Sequence, residues 1–243
     1  MSDRLKIFLL LAPVLTILIV IPISFIGNLL IYNLLLAPLV RRSKSRGALE
    51  VDSILATFGM SFILIGIMTS IEGGFFAYKY LSEPIQILGS TTSLSRLVAF
   101  LIATLIALVL YLWLNKTRSG VAVRAVSVST EAAGLVGINV PRLSAVAFAI
   151  GGAITAVGGA LISTFITLDA SIGVVFTLKA LIIVIMGGVG EIRGAIIAAI
   201  ILGIVETTVA TLVDPGLTLA AAYFIFVLIL LFRPQGLFGR RNT

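Results

Sequence analysis

Two charged residues stand deep in apolar stretches of this chain, Lys179 and Glu206, on either side of a Gly-rich turn, G-G-V-G-E-I-R-G at 187–194. If the flanking segments are helices, Lys179 lies about 12 Å back from Gly187 and Glu206 about 18 Å forward from Gly194, at about 1.5 Å per residue. An antiparallel hairpin therefore brings the two to similar depths. Glu206 follows Ala199 and Gly203 at helical spacing, so it is expected to point into the bundle and not at lipid. An unpaired charge there is costly or titrates to neutrality, and a Lys179–Glu206 pair, or near-pair, is the expectation. It serves either as a salt bridge that holds the hairpin or as a group facing a solute. A second constellation, Glu131-Ala132-Ala133-x-x-x-Gly137, lies in a polar stretch at 116–160, the one long polar interruption deep inside the apolar sequence. Other chemistries are excluded by composition. With no His and no Cys, disulfide frameworks, Cys/His metal sites and imidazole catalysis are out of reach. The glycines at 187–190 are not followed by Lys-Ser or Lys-Thr, so they form no nucleotide-binding P-loop.

The elements that position these residues follow from the apolar pattern. Hydrophobic residues make up 60% of the chain and charged residues 11%, against about a quarter charged in soluble domains, which makes this an all-α, polytopic membrane protein. About seven spans are expected, with a short or broken helix region near 165–190. The opening run carries Arg4 and Lys6, is too long for a signal peptide, and is interrupted by Pro13 and Pro22, expected to kink it or mark a disordered or interfacial start. Further spans are read at 54–71, at 97–114 with Trp113 at its end, at 143–164 and at 217–232. The 187–194 turn joins two antiparallel spans, a short apolar one before it and another after it. Basic residues alternate with these spans: Arg41, Arg42, Lys44 and Arg46, then Lys116, Arg118, Arg124 and Arg142, then Arg233, Arg240 and Arg241. The positive-inside rule places these loops and the C-terminus in the cytoplasm. Read this way, the net charge of +7 reports orientation and not a nucleic-acid partner. Tyr78 and Tyr80 fall in an exterior connector. Within 143–164, Gly151, Thr155, Gly159 and Ser163 form one row of small residues and Gly152, Ala156, Ala160 and Thr164 another, suited to close helix packing or to solute contact. In the polar stretch, a helical pattern at 121–136 sets Val121, Ala125, Val128, Ala132 and Leu135 near one face, with Arg124 and Glu131 elsewhere, a form that docks into a partner's groove.

The E-A-A-x-x-x-G spacing resembles the coupling segment of ABC importer permeases, although the I-x-L-P that closes the longer importer motif is absent. More specifically, GLVGINVPRLSAVAFAIGGAITAVGGAL and LKALIIVIMGGVGEIRGAIIAAIILGIVE resemble the branched-chain amino-acid (LIV-type) permease family. The likeness covers nearly the whole chain, but that family usually begins with a further Gly-rich span and an N-F-A-H-G motif, neither present here. This implies a truncated, mis-set or shortened start, and the missing part is expected to line the pathway. The resemblance implies a single transmembrane permease domain over residues 1–243 in the inner membrane, without cofactor or metal. Arg124, Glu131, Ala132, Ala133, Gly134 and Gly137 then form the ATPase-coupling loop. Gly151, Gly152, Gly159, Gly187, Gly188, Gly190, Gly194 and Gly203 serve helix packing and the hairpin. Implied partners are ABC ATPase subunits, a second permease subunit of the same or a paralogous kind, an extracytoplasmic solute-binding protein and membrane lipid. The implied solute is a branched-chain amino acid or a related small polar molecule. The rivals are a secondary transporter or channel using Lys179 and Glu206, and a sugar-type ABC permease.

Overall fold

The computed structural model describes residues 3–43, 46–72, 75–76, 84–87, 90–188 and 190–239. Tyr78, Tyr80, Lys44, Arg240 and Arg241 lie outside the described residues. Helices dominate: α1 (Asp3–Ile31), α2 (Ala37–Arg42), α3 (Arg46–Glu72), α4 (Leu94–Lys116), α5 (Arg118–Val128), α6 (Thr130–Leu135), α7 (Val140–Ile162), α8 (Ile172–Gly187), α9 (Ile192–Leu212) and α10 (Thr218–Phe232). Among the described residues, six helical stretches are long and apolar enough to cross a membrane: Thr16–Arg42, Gly47–Ile71, Leu94–Lys116, Val140–Ile162, Ile192–Leu212 and Pro215–Phe232. Helix α8 is shorter, 16 residues or about 24 Å at 1.5 Å per residue, against a hydrocarbon core of about 30 Å. The chain is therefore a multi-pass helical membrane protein of about seven spans, with the short helix in the region expected to be interrupted.

The opening helix α1 runs on through Pro13 and Pro22, and its regularity changes at a π-helical turn, Tyr32–Leu36, where the Ala37 N–H bonds the Tyr32 carbonyl. Pro38 lies in the first turn of α2 just beyond it, and its missing N–H removes one ordinary helical bond. The connector helix expected over 121–136 is two helices, α5 and α6, parted at Ser129, whose backbone is extended (φ −151°, ψ 108°). The Ser129 hydroxyl accepts from the Ala132 N–H at 3.2 Å, an N-cap that periodicity alone does not reveal.

The chain divides into two compact units, Met1–Ala170 and Ser171–Thr243. In the first, α1 and α7 pack antiparallel, with Asn28 against Gly152 and the Tyr32 and Phe148 rings 5.7 Å apart. The buried stripe of α7 is Ala145, Ala149, Ala153, Val157 and Leu161, every fourth residue and mostly alanine, which permits that close approach. Beyond the ends of α3 and α7, strands β1 (Phe75–Phe76) and β4 (Leu168–Asp169) pair antiparallel, so both ends reach the same side of this unit. Strands β2 (Pro84–Ile87) and β3 (Ser90–Ser93) form a hairpin before α4. In the second unit, Ile182, Met186, Ala198, Leu202 and Ala222 from α8, α9 and α10 make the core, with Leu237 of the C-terminal segment packed against it.

Candidate functional site

The polar connector is built from the end of α4 onward. Thr117 caps α5, its hydroxyl accepting from the Gly120 N–H at 3.1 Å and donating to the Trp113 carbonyl at 2.6 Å. Gly120 is buried against the α4 backbone, where a Cβ would collide with the Trp113 carbonyl oxygen and the Leu114 Cα. Arg124 does not project freely, because its Nη1 donates to Asn115 Oδ1 at 2.9 Å. In α6, Glu131 stands in the first turn, the end at which the helix dipole favours a negative charge. Ala133 is buried, whereas Ala132 and Gly134 are exposed. Gly137 has φ +82°, and it closes α6 with two bonds, Gly137 N–H to the Gly134 carbonyl and Ile138 N–H to the Ala133 carbonyl, both at 3.1 Å. This is a Schellman turn, whose left-handed residue is favoured as glycine. Of the face expected to be apolar, Ala125 is half-buried, Val121, Val128, Ala132 and Leu135 are exposed, and Leu135 is 90% exposed at the tip of α6.

The structure brings Lys179 and Glu206 together, with Nζ 2.8 Å from Oε2 and about a fifth of each side chain exposed. Lys179 continues the buried stripe of α8 through Ile182 and Met186. Glu206 continues that of α9 through Gly194, Ala198 and Leu202. The close-packed face of α9 is this row, not the neighbouring Ala199 and Gly203, which are exposed, and Gly203 has open space before it. The hairpin is tightest at the crossing of Gly187 and Gly194, where a Cβ on either would strike the other's backbone. The Lys179 ammonium also lies 5.9 Å from the centre of the Phe176 ring, within cation–π range. Glu206 Oε1 is buried and has no hydrogen-bond partner among the described residues. Gly190 has φ +88° in open space. Of the glycines on α7, Gly152 packs on the Asn28 side chain, whereas Gly151 and Gly159 meet nothing within 4 Å. An apolar groove of about 380 Å³ between α1, α4 and α7, lined by Phe25, Trp113 and Ile150 among others, suits a lipid chain better than a polar solute.

Sequence reasoning missed the C-terminal segment. It returns to the end of α8, where the Leu237 N–H bonds the Met186 carbonyl at 2.7 Å and the Phe238 N–H bonds the Gly187 carbonyl at 3.2 Å. Gly188 and Gly236, at φ +100° and +83°, lie backbone to backbone, and Gly239 also touches Gly188. The readable signal was the repeated glycine in P-Q-G-L-F-G, after a helix end rich in the same residue. Gly120, three residues after a capping threonine, was the corresponding signal at the α4–α5 bend.

Known proteins place this arrangement. A family model described as the permease component of the branched-chain amino acid transport system matches residues 3–233. The high-affinity branched-chain amino acid transport system permease protein LivH of Salmonella typhimurium is 30% identical over 203 residues, 80% of this chain and 66% of that protein. LivH of Escherichia coli is 28% identical over the same shares. BraD of Pseudomonas aeruginosa is 31% identical over 153 residues, 63% of this chain and 50% of that protein. This chain thus spans at most 66% of the length of these relatives. No solved structure matches it significantly. Matched along nearly all its length, and built of apolar spans around a polar connector, the chain belongs to the branched-chain amino acid transport permease family.

Proposed function

We propose that this chain acts, as one permease domain over residues 1–243, as a transmembrane subunit of an inner-membrane ABC importer for branched-chain amino acids or related small polar solutes. The observation that carries the reading is α6, a short capped helix between two one-residue joints, Ser129 and Gly137, that presents Leu135 and Val136 90% and 75% exposed. On a loop flanked by basic residues, which the positive-inside rule assigns to the cytoplasm, such an apolar tip is not buried in lipid and fits a groove of a partner protein. On the importer reading the partner is an ATPase subunit, because the P-loop that such a transporter needs is not in this sequence. A second permease subunit, of the same or a paralogous kind, completes the pathway, and an extracytoplasmic binding protein delivers the solute. The Lys179–Glu206 pair stands at the pathway wall, where intramembrane ionisable groups are commonly functional.

The test is solute uptake by proteoliposomes containing the complex purified with its ATPase subunits. Uptake that requires ATP hydrolysis and is lost in Gly137→Trp supports the reading. The same ion pair favours a second reading, an ion-coupled secondary carrier. Uptake that persists without the ATPase subunits and follows an ion gradient would establish that alternative.

A further inference from the structure

The connector is not uniformly joined to the membrane helices. Helix α6 hangs between Ser129, extended, and Gly137, left-handed. Helix α5, in contrast, is fastened to α4 at three successive points. At the bend, the Thr117 hydroxyl bridges the Trp113 carbonyl and the Gly120 N–H. One turn into α5, Gly120 lies directly on the Trp113–Leu114 backbone. One turn further, Arg124 Nη1 donates to Asn115 Oδ1 at 2.9 Å, while Asn115 Nδ2 donates to the Tyr111 carbonyl at 2.8 Å. The last bond orients the amide, since its nitrogen must face a carbonyl and its oxygen the guanidinium. The outermost point matters mechanically: Arg124 is seven residues beyond Thr117, about 10 Å at 1.5 Å per residue. The bond itself is made beside the bend, to Asn115 two residues before Thr117, so the Arg124 side chain acts as a strut that ties a point farther along α5 back to α4.

We infer that Arg124, through Asn115, is a positioning residue that clamps α5 onto α4, and that it is not a contact for the ATPase. The clamp delivers displacement of α6 to a membrane-spanning helix instead of letting it dissipate as bending at Thr117. Gly120 supplies the close approach that lets the Arg124 side chain reach Asn115. This inference rests on the reading that the ATPase docks on α6, but the clamp itself is measurable without that partner.

The experiment compares Asn115→Leu, Arg124→Met, the double variant and Asn115→Asp in the complex reconstituted with its ATPase subunits. The readouts are solute moved per ATP hydrolysed and the affinity of the ATPase subunits for the permease. Each single loss is expected to lower the transport-to-hydrolysis ratio by roughly threefold to tenfold, in the range seen for residues on a coupling route. The double variant falls no further than the worse single one, Asn115→Asp retains the ratio because a carboxylate also accepts from the guanidinium, and the ATPase affinity is unchanged. Effects of the two single changes that multiply, or weaker ATPase binding in Arg124→Met alone, would overturn the inference. In the chain without partners, a spin label at a cysteine replacing Ser127 should become more mobile in Asn115→Leu, and an unchanged spectrum would also overturn it. Normal uptake by Gly137→Trp would instead remove the docking reading, leaving the clamp to be judged by the label.

Discussion

Lys179 and Glu206 form an ion pair between two apolar helices of the second unit, where a lost partner is costly. The bond is short, 2.8 Å, yet one carboxylate oxygen is buried without a donor among the described residues, so the pair does not satisfy itself. Removing one partner leaves the other charge uncompensated, at a cost of about 3–5 kcal/mol for a buried pair. Lys179→Met alone and Glu206→Gln alone should therefore lower the thermal stability of the detergent-solubilised protein or abolish transport. The double change removes both charges and should restore the melting temperature. Transport then separates the roles: it returns if the pair only holds α8 to α9, and stays absent if the carboxylate and ammonium face the solute. That the two residues lie at similar depths was legible in the sequence, because helical rise and a glycine turn fix the register of a hairpin. The packed face of α9 was not, since Ala199 and Gly203 look as suitable for close packing as Ala198 and Leu202. Which small residues meet a neighbour depends on rotation about the helix axis, and that is set by the partner helix.

Helix α8 would end badly without the C-terminal segment. The last carbonyls of a helix lack partners inside it, and here Leu237 and Phe238 supply the N–H groups for Met186 and Gly187. Gly188 and Gly236 make this possible, both at positive φ and in backbone contact. Gly190 is a useful comparison, because it shares the positive φ but meets nothing within 4 Å. Gly190→Ala should thus cost only the left-handed strain, about 1–2 kcal/mol. Gly236→Ala adds overpacking of about 1–3 kcal/mol, and should show a clearly larger drop in melting temperature; equal drops would argue against the cap. Contacts of this kind have no side-chain signature, so glycine repeats hint at them without pairing them. The connector shows the opposite limit. Its apolar period ran smoothly across Ser129, yet Ser-Thr-Glu is a helix start as well as a helix interior, and the N-cap prevailed over periodicity.

At the scale of the whole molecule, the long apolar runs made the spans legible, because about 20 apolar residues have few alternatives to a membrane helix. The short helix α8 was legible as well, by the shortness of the apolar run before the 187–194 turn. Contacts distant in sequence, such as Asn28 on Gly152 or strand β1 on strand β4, were not, since each depends on how spans associate. The antiparallel packing of α1 and α7 and the shared end of α3 and α7 agree with spans that alternate in direction. A cysteine replacing Ser127, exposed on α5, should react with an impermeant thiol reagent only from the cytoplasmic side, and labelling in intact cells would reverse the orientation. The native chain holds no cysteine to compete. A cysteine replacing Ser45, outside the described residues, carries the same expectation from the flanking basic run. The most direct measurement of the central claim is branched-chain amino acid uptake by proteoliposomes holding the complex with its ATPase subunits, for the native chain and for Gly137→Trp. The account predicts uptake that depends on ATP in the native complex, and in the variant continued hydrolysis by an inserted protein with uptake abolished. Uptake at the native rate by Gly137→Trp, whose side chain cannot adopt the Schellman turn without strain, would contradict it.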